Sequence, residues 1–230
     1  MSERLKTIIK MFDKCNSAAD IGTDHAYIPE MLIKNNLCKK VVATDVNEGP
    51  YRIAKNYVES TGLEESIEVR LGNGLQPVAL EEVDTIVIAG MGGILITKIL
   101  DEKITEFDEI KTLILQPMNA ADKVRKYLHE KGFCIVDEEI AKEDYHYYEL
   151  IKARKSSKAC IYDKELFYET GRTLFEKKHP LLKKFVENKM RINSEIIHNM
   201  DKANISNKKK EDLKSRNEEY REVLKSYGIE

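Results

Sequence analysis

Ser17-Ala-Ala-Asp-Ile-Gly-Thr-Asp-His-Ala-Tyr-Ile28 reads as a strand, a glycine turn and the start of a helix. Further on, Val41-Val-Ala-Thr-Asp45-Val46 reads as a second strand that ends in an acid. Gly22 and Asp45 stand 23 residues apart, close to the roughly 20 that separate a nucleotide-binding turn from its ribose-binding carboxylate. A carboxylate there accepts hydrogen bonds from both ribose hydroxyls, and glycine lets the backbone approach the ligand. The expectation is a nucleoside-containing cofactor at the carboxyl edge of a parallel sheet.

The turn also says which cofactor to expect. A dinucleotide site uses G-x-G-x-x-G, whose second and third glycines admit the pyrophosphate and a close helix. Gly22-Thr23-Asp24-His25-Ala26 has one glycine and an extra acid, and that acid would repel a pyrophosphate. S-adenosyl-L-methionine has no phosphate, and its sulfonium and amino groups are cationic, so Asp20 and Asp24 suit it. Asp24 has a second reading, as a helix N-cap accepting from the following amides.

The 230 residues suffice for a main domain with an appendage, and 42% hydrophobic residues supply a core. Charged residues at 34% and the lack of Trp fit an ordinary soluble protein. Apolar runs fall short of the ~20 residues of a membrane span, and Met1-Ser-Glu-Arg-Leu-Lys6 has no signal-peptide core. Cys15, Cys38, Cys134 and Cys160 form no C-x-x-C pair. They are read as four reduced structural thiols in a cytoplasmic protein, with no metal site. From Lys152 onward there are 20 Lys and Arg against 13 Asp and Glu, a balance of +7, while the preceding residues carry −9. That split fits a nucleic-acid partner for the tail, or simply a solvated helical face.

Strand and helix alternate along the first part, the pattern of a parallel sheet covered on both faces. A helix is expected over Glu3–Lys14 and another over Gly49–Ser60. Strands are expected over Ser17–Ile21, Lys40–Asp45, Ser66–Leu71, Asp84–Ala89 and Thr112–Gln116. Phe133–Glu138 and Tyr147–Lys152 read as two further strands joined by a charged loop, an antiparallel ending. Beyond Lys155 the spacing turns helical. A short helix precedes a long hairpin broken at Asn204-Ile-Ser-Asn207, with the narrow apolar stripe of an antiparallel coiled coil. The domains expected are residues 1–155 and 156–230.

Five segments together carry a family resemblance: Ala19-Asp-Ile-Gly-Thr-Asp-His-Ala-Tyr27, Asp45-Val-Asn-Glu-Gly-Pro50, Arg70-Leu-Gly-Asn-Gly-Leu75, Ile88-Ala-Gly-Met-Gly-Gly93 and Leu115-Gln-Pro-Met118. In this order the chain resembles the bacterial tRNA (adenine-22-N1)-methyltransferase family, from about Cys15 to Lys152, and the helical tail is similar to that family's C-terminal coiled coil. The resemblance implies an α/β, Rossmann-like class I methyltransferase sheet with a C-terminal helical hairpin. It also implies S-adenosylmethionine-dependent methylation of adenine N1 in the D-arm of tRNA. By position, Asp20 and Gly22 would line the methionine part of the cofactor, Asp45 the ribose, and Asn73 and Gly74 its adenine. Asn73 stands where related enzymes often carry Asp; its amide oxygen accepts from the exocyclic amine without charge. Ala89-Gly-Met-Gly-Gly93 occupies the place of the Asn/Asp-Pro-Pro-aromatic motif of amino-methylating enzymes, which argues for attack by a ring nitrogen. Ala89 and Gly90 are assigned to the cofactor, Met91 and Gly92 to the substrate; a purely conformational glycine turn is the other reading.

A neutral ring nitrogen needs no strong base, so placement of N1 against the methyl carbon is the main demand. A carboxylate near the base would stabilise the positive charge that reaches the ring. Asp24 is the first catalytic candidate and His25 the second, His25 also being readable as a structural residue capping the helix. N1 lies on the Watson–Crick edge, so the base must leave its stack. Tyr27, Met118 and Asn119 are candidate walls, although Tyr27 reads equally as core. Tyr145, His146, Tyr147 and Tyr148 are read as structural. Lys152, Arg154 and Lys155 lead towards the basic tail and are expected to grip RNA phosphates. The protein is expected to be a monomer or weak homodimer. A small-molecule methyltransferase and a non-catalytic cofactor-binding scaffold are the rival readings.

Overall fold

Ile86-Val-Ile88 and Leu113-Ile-Leu115 are apolar without alternation, as strands covered on both faces must be, and all six side chains are fully buried. In a computed structural model, which describes residues 2–103, 106–107, 110–158 and 160–229, they form the centre of a seven-stranded sheet. Its strands are β1 (Ser17–Ile21), β2 (Lys40–Asp45), β3 (Ile67–Leu71), β4 (Thr85–Met91), β5 (Thr112–Pro117), β6 (Phe133–Glu143) and β7 (His146–Lys155). The spatial order is 3-2-1-4-5-7-6. The first five strands are parallel; β7 runs antiparallel between β5 and β6. After β1 the chain moves outward to β2 and β3, then returns to β4 on β1's other side. That reversal opens a crevice at the carboxyl ends of β1 and β4, where open α/β sheets bind ligands.

The connecting helices are α1 (Glu3–Lys10), α2 (Tyr27–Lys34), α3 (Glu48–Thr61), α4 (Gly93–Asp101) and α5 (Ala121–Glu130). Ser2 caps α1 by accepting from the Leu5 amide at 3.2 Å, which sets Arg4 in the first turn. The helix stops at Lys10, not Lys14: Met11 and Phe12 tighten into bonds to Ile8 and Ile9 and are buried. The expected charged loop between the last two strands is instead paired ladder. The strands run on to Glu143 and from His146, turning at Asp144, whose φ is +50°. Buried at the base of this hairpin, Arg125 of α5 bonds Glu138 at 2.6 Å and Glu149 at 2.7 Å.

The expectation of four reduced thiols is corrected. Cys15 is paired with Cys38 and Cys134 with Cys160, leaving no free cysteine. Their Cα atoms lie 5.0 and 5.3 Å apart, the usual span of a disulfide. Separations of 23 and 26 residues gave no motif, because folding alone brings these loops together.

The chain divides into two units, Met1–Ile161 and Tyr162–Glu230. The second contains α6 (Glu165–Thr170), α7 (Arg172–Glu176), α8 (Leu182–Lys202) and α9 (Lys208–Ser226). Helices α8 and α9 pack together as a hairpin. Asn217, almost fully buried, bonds Asn193 at 2.9 Å across it, a polar contact that pins the register of an apolar seam. Asn207 caps α9 through the Lys210 amide. No described helix is long and apolar enough to cross a membrane.

Candidate cofactor and substrate cleft

Strand β1 ends in Asp20 and Ile21, after which Gly22 turns the chain at φ +77°. The amides of Gly22 and Thr23 both donate to the Thr44 carbonyl at 2.8 Å, holding the turn against β2. A Cβ at Gly22 would meet the Met91 methyl group, so Met91 lies across the turn. Near the end of strand β4 stand Ala89 and Gly90, the latter at φ +78°. These two ends floor a cleft of about 550 Å³. It brings together Asp20, Gly22, Asp24, His25, Tyr27, Ala89, Gly90 and Met118, eight of the residues expected at the site.

Asp20 is 4% exposed and pairs with no Lys or Arg among the described residues. Burial pushes its carboxyl up to about 7; Asp45 adds to the rise and a hydrogen bond from Thr23 opposes it. A buried acid without a cationic partner suits a positively charged ligand. The Asp24 carboxylate is 69% exposed and lies 2.9 Å from His25 Nδ1. It does not cap α2: the capping position is Ala26, at φ +56°, and its amide donates to the Thr23 hydroxyl at 3.2 Å. His25 stacks on Tyr27 at 5.2 Å and 10°. Tyr27 is 44% exposed, not core. Its outer edge meets Tyr57, whose hydroxyl donates to Glu30 at 2.7 Å.

Asp45, Asn73 and Gly74 line the same sheet edge at the ends of β2 and β3, beside the cleft. Asp45 Oδ1 accepts from the Asn47 amide at 2.7 Å, which orients the carboxylate. Asn73 is exposed, and Gly74, at φ +52°, is buried. On the other side Gly92 lies against Asn119, and Gly93 leaves no room for a side chain: a Cβ there would sit 2.5 Å from the Ala120 carbonyl. Gly93 is required by close packing, whereas Gly90 is required by its backbone conformation and also lines the cleft.

Lys152, Arg154 and Lys155 are not brought to this cleft. Because β7 is antiparallel, its end lies beside the beginning of β5, with Lys152 opposite Ile114. There Lys152, buried, reaches Asp13 at 2.8 Å, and Arg154 pairs with the same oxygen. Conversely, the start of β7 brings Tyr148 to the cleft wall, where it also packs against the core, and the end of β6 brings Glu143. Arg4 was missed. Its Nη1 donates to Gln116 Oε1 at 2.9 Å, and Gln116 Oε1 also accepts from the Gly90 amide at 3.1 Å. The signal available was its place in a first helical turn just before the glycine turn's strand, which does not identify a partner 112 residues away.

The sequence profile of the tRNA (adenine(22)-N(1))-methyltransferase family, TrmK, matches residues 18–222. A Bacillus subtilis (strain 168) protein described as tRNA (adenine(22)-N(1))-methyltransferase is 37% identical over 163 residues, 71% of this chain and 68% of its own. A Streptococcus pneumoniae protein solved in complex with S-adenosyl-L-methionine superposes with a TM-score of 0.82 at 31% identity, over 97% of this chain and 99% of its own. Mycoplasma capricolum TrmK, solved with S-adenosyl-homocysteine, superposes at 0.79 with 29% identity, over 100% and 98%.

Proposed function

This chain belongs to the tRNA (adenine(22)-N(1))-methyltransferase family, and from that premise we propose how its cleft performs the reaction. The activity is S-adenosylmethionine-dependent methylation of N1 of adenine 22 in tRNA. When bound, S-adenosylmethionine supplies a methyl group activated by its sulfonium. Asp20, buried without a cation, faces the positive amino-acid end. Asp45 takes the ribose hydroxyls, Asn73 and Gly74 the adenine ring, and Ala89 and Gly90 close the floor. That buried acid, Asp20, with no Lys or Arg partner among the described residues, is the observation that carries this reading.

Tyr27 and Met118, both about half exposed at the mouth, form walls for the unstacked base, with Met91, Gly92 and Asn119 beside them. Asp24 carries the stabilising carboxylate and His25 orients it. An acid 69% exposed is screened by water; it becomes effective when the tRNA covers the cleft and lowers the local dielectric. N1 has a free lone pair, so the reaction as read uses no metal and no strong base. The helical unit, residues 162–230, is read as the RNA-binding part of a cytoplasmic monomer or weak homodimer acting on the D-arm, supported by its excess of Lys and Arg. The test is incubation with labelled S-adenosylmethionine and unmodified tRNA transcripts, then digestion and mass spectrometry. N1-methyladenosine at position 22 is expected. Cofactor binding without label in RNA would sink the reading.

A further inference from the structure

The last hairpin carries an aromatic turn to the rim of the cleft. Asp144, at φ +50°, and Tyr145 make the whole turn between Glu143 and His146, which face each other in the ladder. Glu143 and Tyr148 line the cleft, so the turn stands at its edge. Tyr145 is 92% exposed, more than any other large hydrophobic side chain among the described residues. It has no ring, hydrogen-bond or ion-pair partner among them. A lone exposed ring is ordinary on a protein surface, but here the backbone that carries it is fixed. Arg125 braces both strands through Glu138 and Glu149, and Glu143 accepts from the Arg4 amide at 2.8 Å. Lys142 lies over the Tyr147 ring directly across the ladder, 5.5 Å from its centroid. His146, also exposed, has its ring 6.3 Å from that of Tyr148. A ring held out on the turn of a rigid hairpin is placed for recognition.

We infer that this hairpin tip is an RNA-docking element whose Tyr145 ring stacks on a nucleobase flanking adenine 22. The inference rests on the tRNA-methylating activity above. A tRNA that presents N1 of one adenine to the cleft must open its stack there, which leaves a neighbouring base with an uncovered face beside the rim. An aromatic ring covers such a face, whatever the base. The charge of the tip selects base over phosphate: Glu143 and Asp144 outnumber Lys142, so no positive excess is present to hold a phosphate. A protein partner is the competing occupant. It fits less well, because a stable protein interface covers roughly 800 Å² on each side, whereas a two-residue turn with one protruding ring offers a contact the size of a single base.

The experiment compares the intact wild-type protein, Tyr145→Phe and Tyr145→Ala in steady-state methylation of one tRNA transcript at several salt concentrations, with calorimetric binding of S-adenosylhomocysteine alongside. Tyr145→Ala should raise the KM for tRNA about tenfold, the worth of one base stack, and leave kcat and S-adenosylhomocysteine affinity within about twofold. Tyr145→Phe keeps the ring and should stay within about twofold of wild type throughout. The dependence of KM on salt should be the same in all three proteins, since no phosphate contact is lost. An unchanged KM in Tyr145→Ala would overturn the inference and turn the tip over to a protein partner. A loss shared by Tyr145→Phe would assign the effect to the hydroxyl, and a shallower salt dependence would assign it to phosphate; either overturns the stack. A parallel fall in S-adenosylhomocysteine affinity would make Tyr145 a support of the cofactor cleft and overturn it too. If the wild-type protein transferred no methyl group to tRNA, the activity itself would fall, a result distinct from any of these.

Discussion

The two edges of the sheet treat charge in opposite ways. At the amino edge, Asp13 holds both Lys152 and Arg154, and Asp84 faces Lys111 at 3.9 Å while accepting from the Asn16 amide. Lys152 first, then Arg154, keep the Asp13 carboxyl below its ordinary value. At the carboxyl edge, Asp20 and Asp45 have no Lys or Arg partner among the described residues, and the Arg4 guanidinium forms no ion pair among them, although Glu143 accepts from the Arg4 amide. The amino edge has the larger cavity, about 920 Å³ against 550 Å³. Volume therefore does not locate the ligand here. Uncompensated charge does, because a buried or half-buried ion without a partner is costly unless something else supplies it.

The contrast can be broken most directly at Asp45. Asp45→Ala should weaken cofactor binding by about ten- to a hundredfold, the worth of one or two hydrogen bonds to a charged acceptor; unchanged calorimetric affinity would remove it from the ribose. Asp24→Ala should slow single-turnover methylation about tenfold with cofactor affinity unaffected, and full retained activity would strike it from catalysis. A third test uses pH. In the free protein the Asp20 carboxyl titrates at about 7, and a cationic ligand favours its ionised form, so binding releases a proton. Affinity for S-adenosylmethionine should rise from pH 6 to about 7, by no more than tenfold per pH unit, and then level off. Asp20→Asn should flatten that profile.

The same ionisation bears on stability with the opposite sign. A carboxyl raised from 3.8 to about 7 by folding is protonated in the native state and ionised in the unfolded one across that interval. Asp20 therefore lowers stability as pH climbs from about 4 to 7 in the absence of ligand, which thermal melts of Asp20→Asn against wild type would reveal. The smallest effect is expected at the other edge. Arg154→Ala should leave the KM for tRNA within about twofold, since its partner is Asp13 and the site lies at the far ends of the strands. A salt-dependent rise in KM would return Arg154 to the RNA-binding surface.

Legibility followed how local each cause was. Ser17–Ile21 and Lys40–Asp45 begin and end where expected, because an apolar run bounded by Gly22 or Asn47 states its own limits. The last hairpin was read too short, since Glu139-Ile-Ala-Lys-Glu143 carries its charges on an outer strand whose solvent side tolerates them. Tyr148 lies within the expected strand, but which neighbours it meets at the cleft depends on the sheet's closure and not on the strand's limits. Lys152 and Arg154 lie beside Asp13 at the amino edge because strand direction, not composition, sets which edge a strand end reaches.

By itself, the sequence determined the alternation of strand and helix, the glycine turn with its flanking acids, and the family to which those motifs belong. Each is a property of residues close in the chain, where backbone freedom at Gly22 and side-chain type act directly. Only the tertiary structure decided which charges find partners. Arg4 reaches Gln116, Asp13 reaches Arg154 and Cys134 reaches Cys160 across separations of 112, 141 and 26 residues, and nothing along the chain encodes a distance until the sheet has closed it.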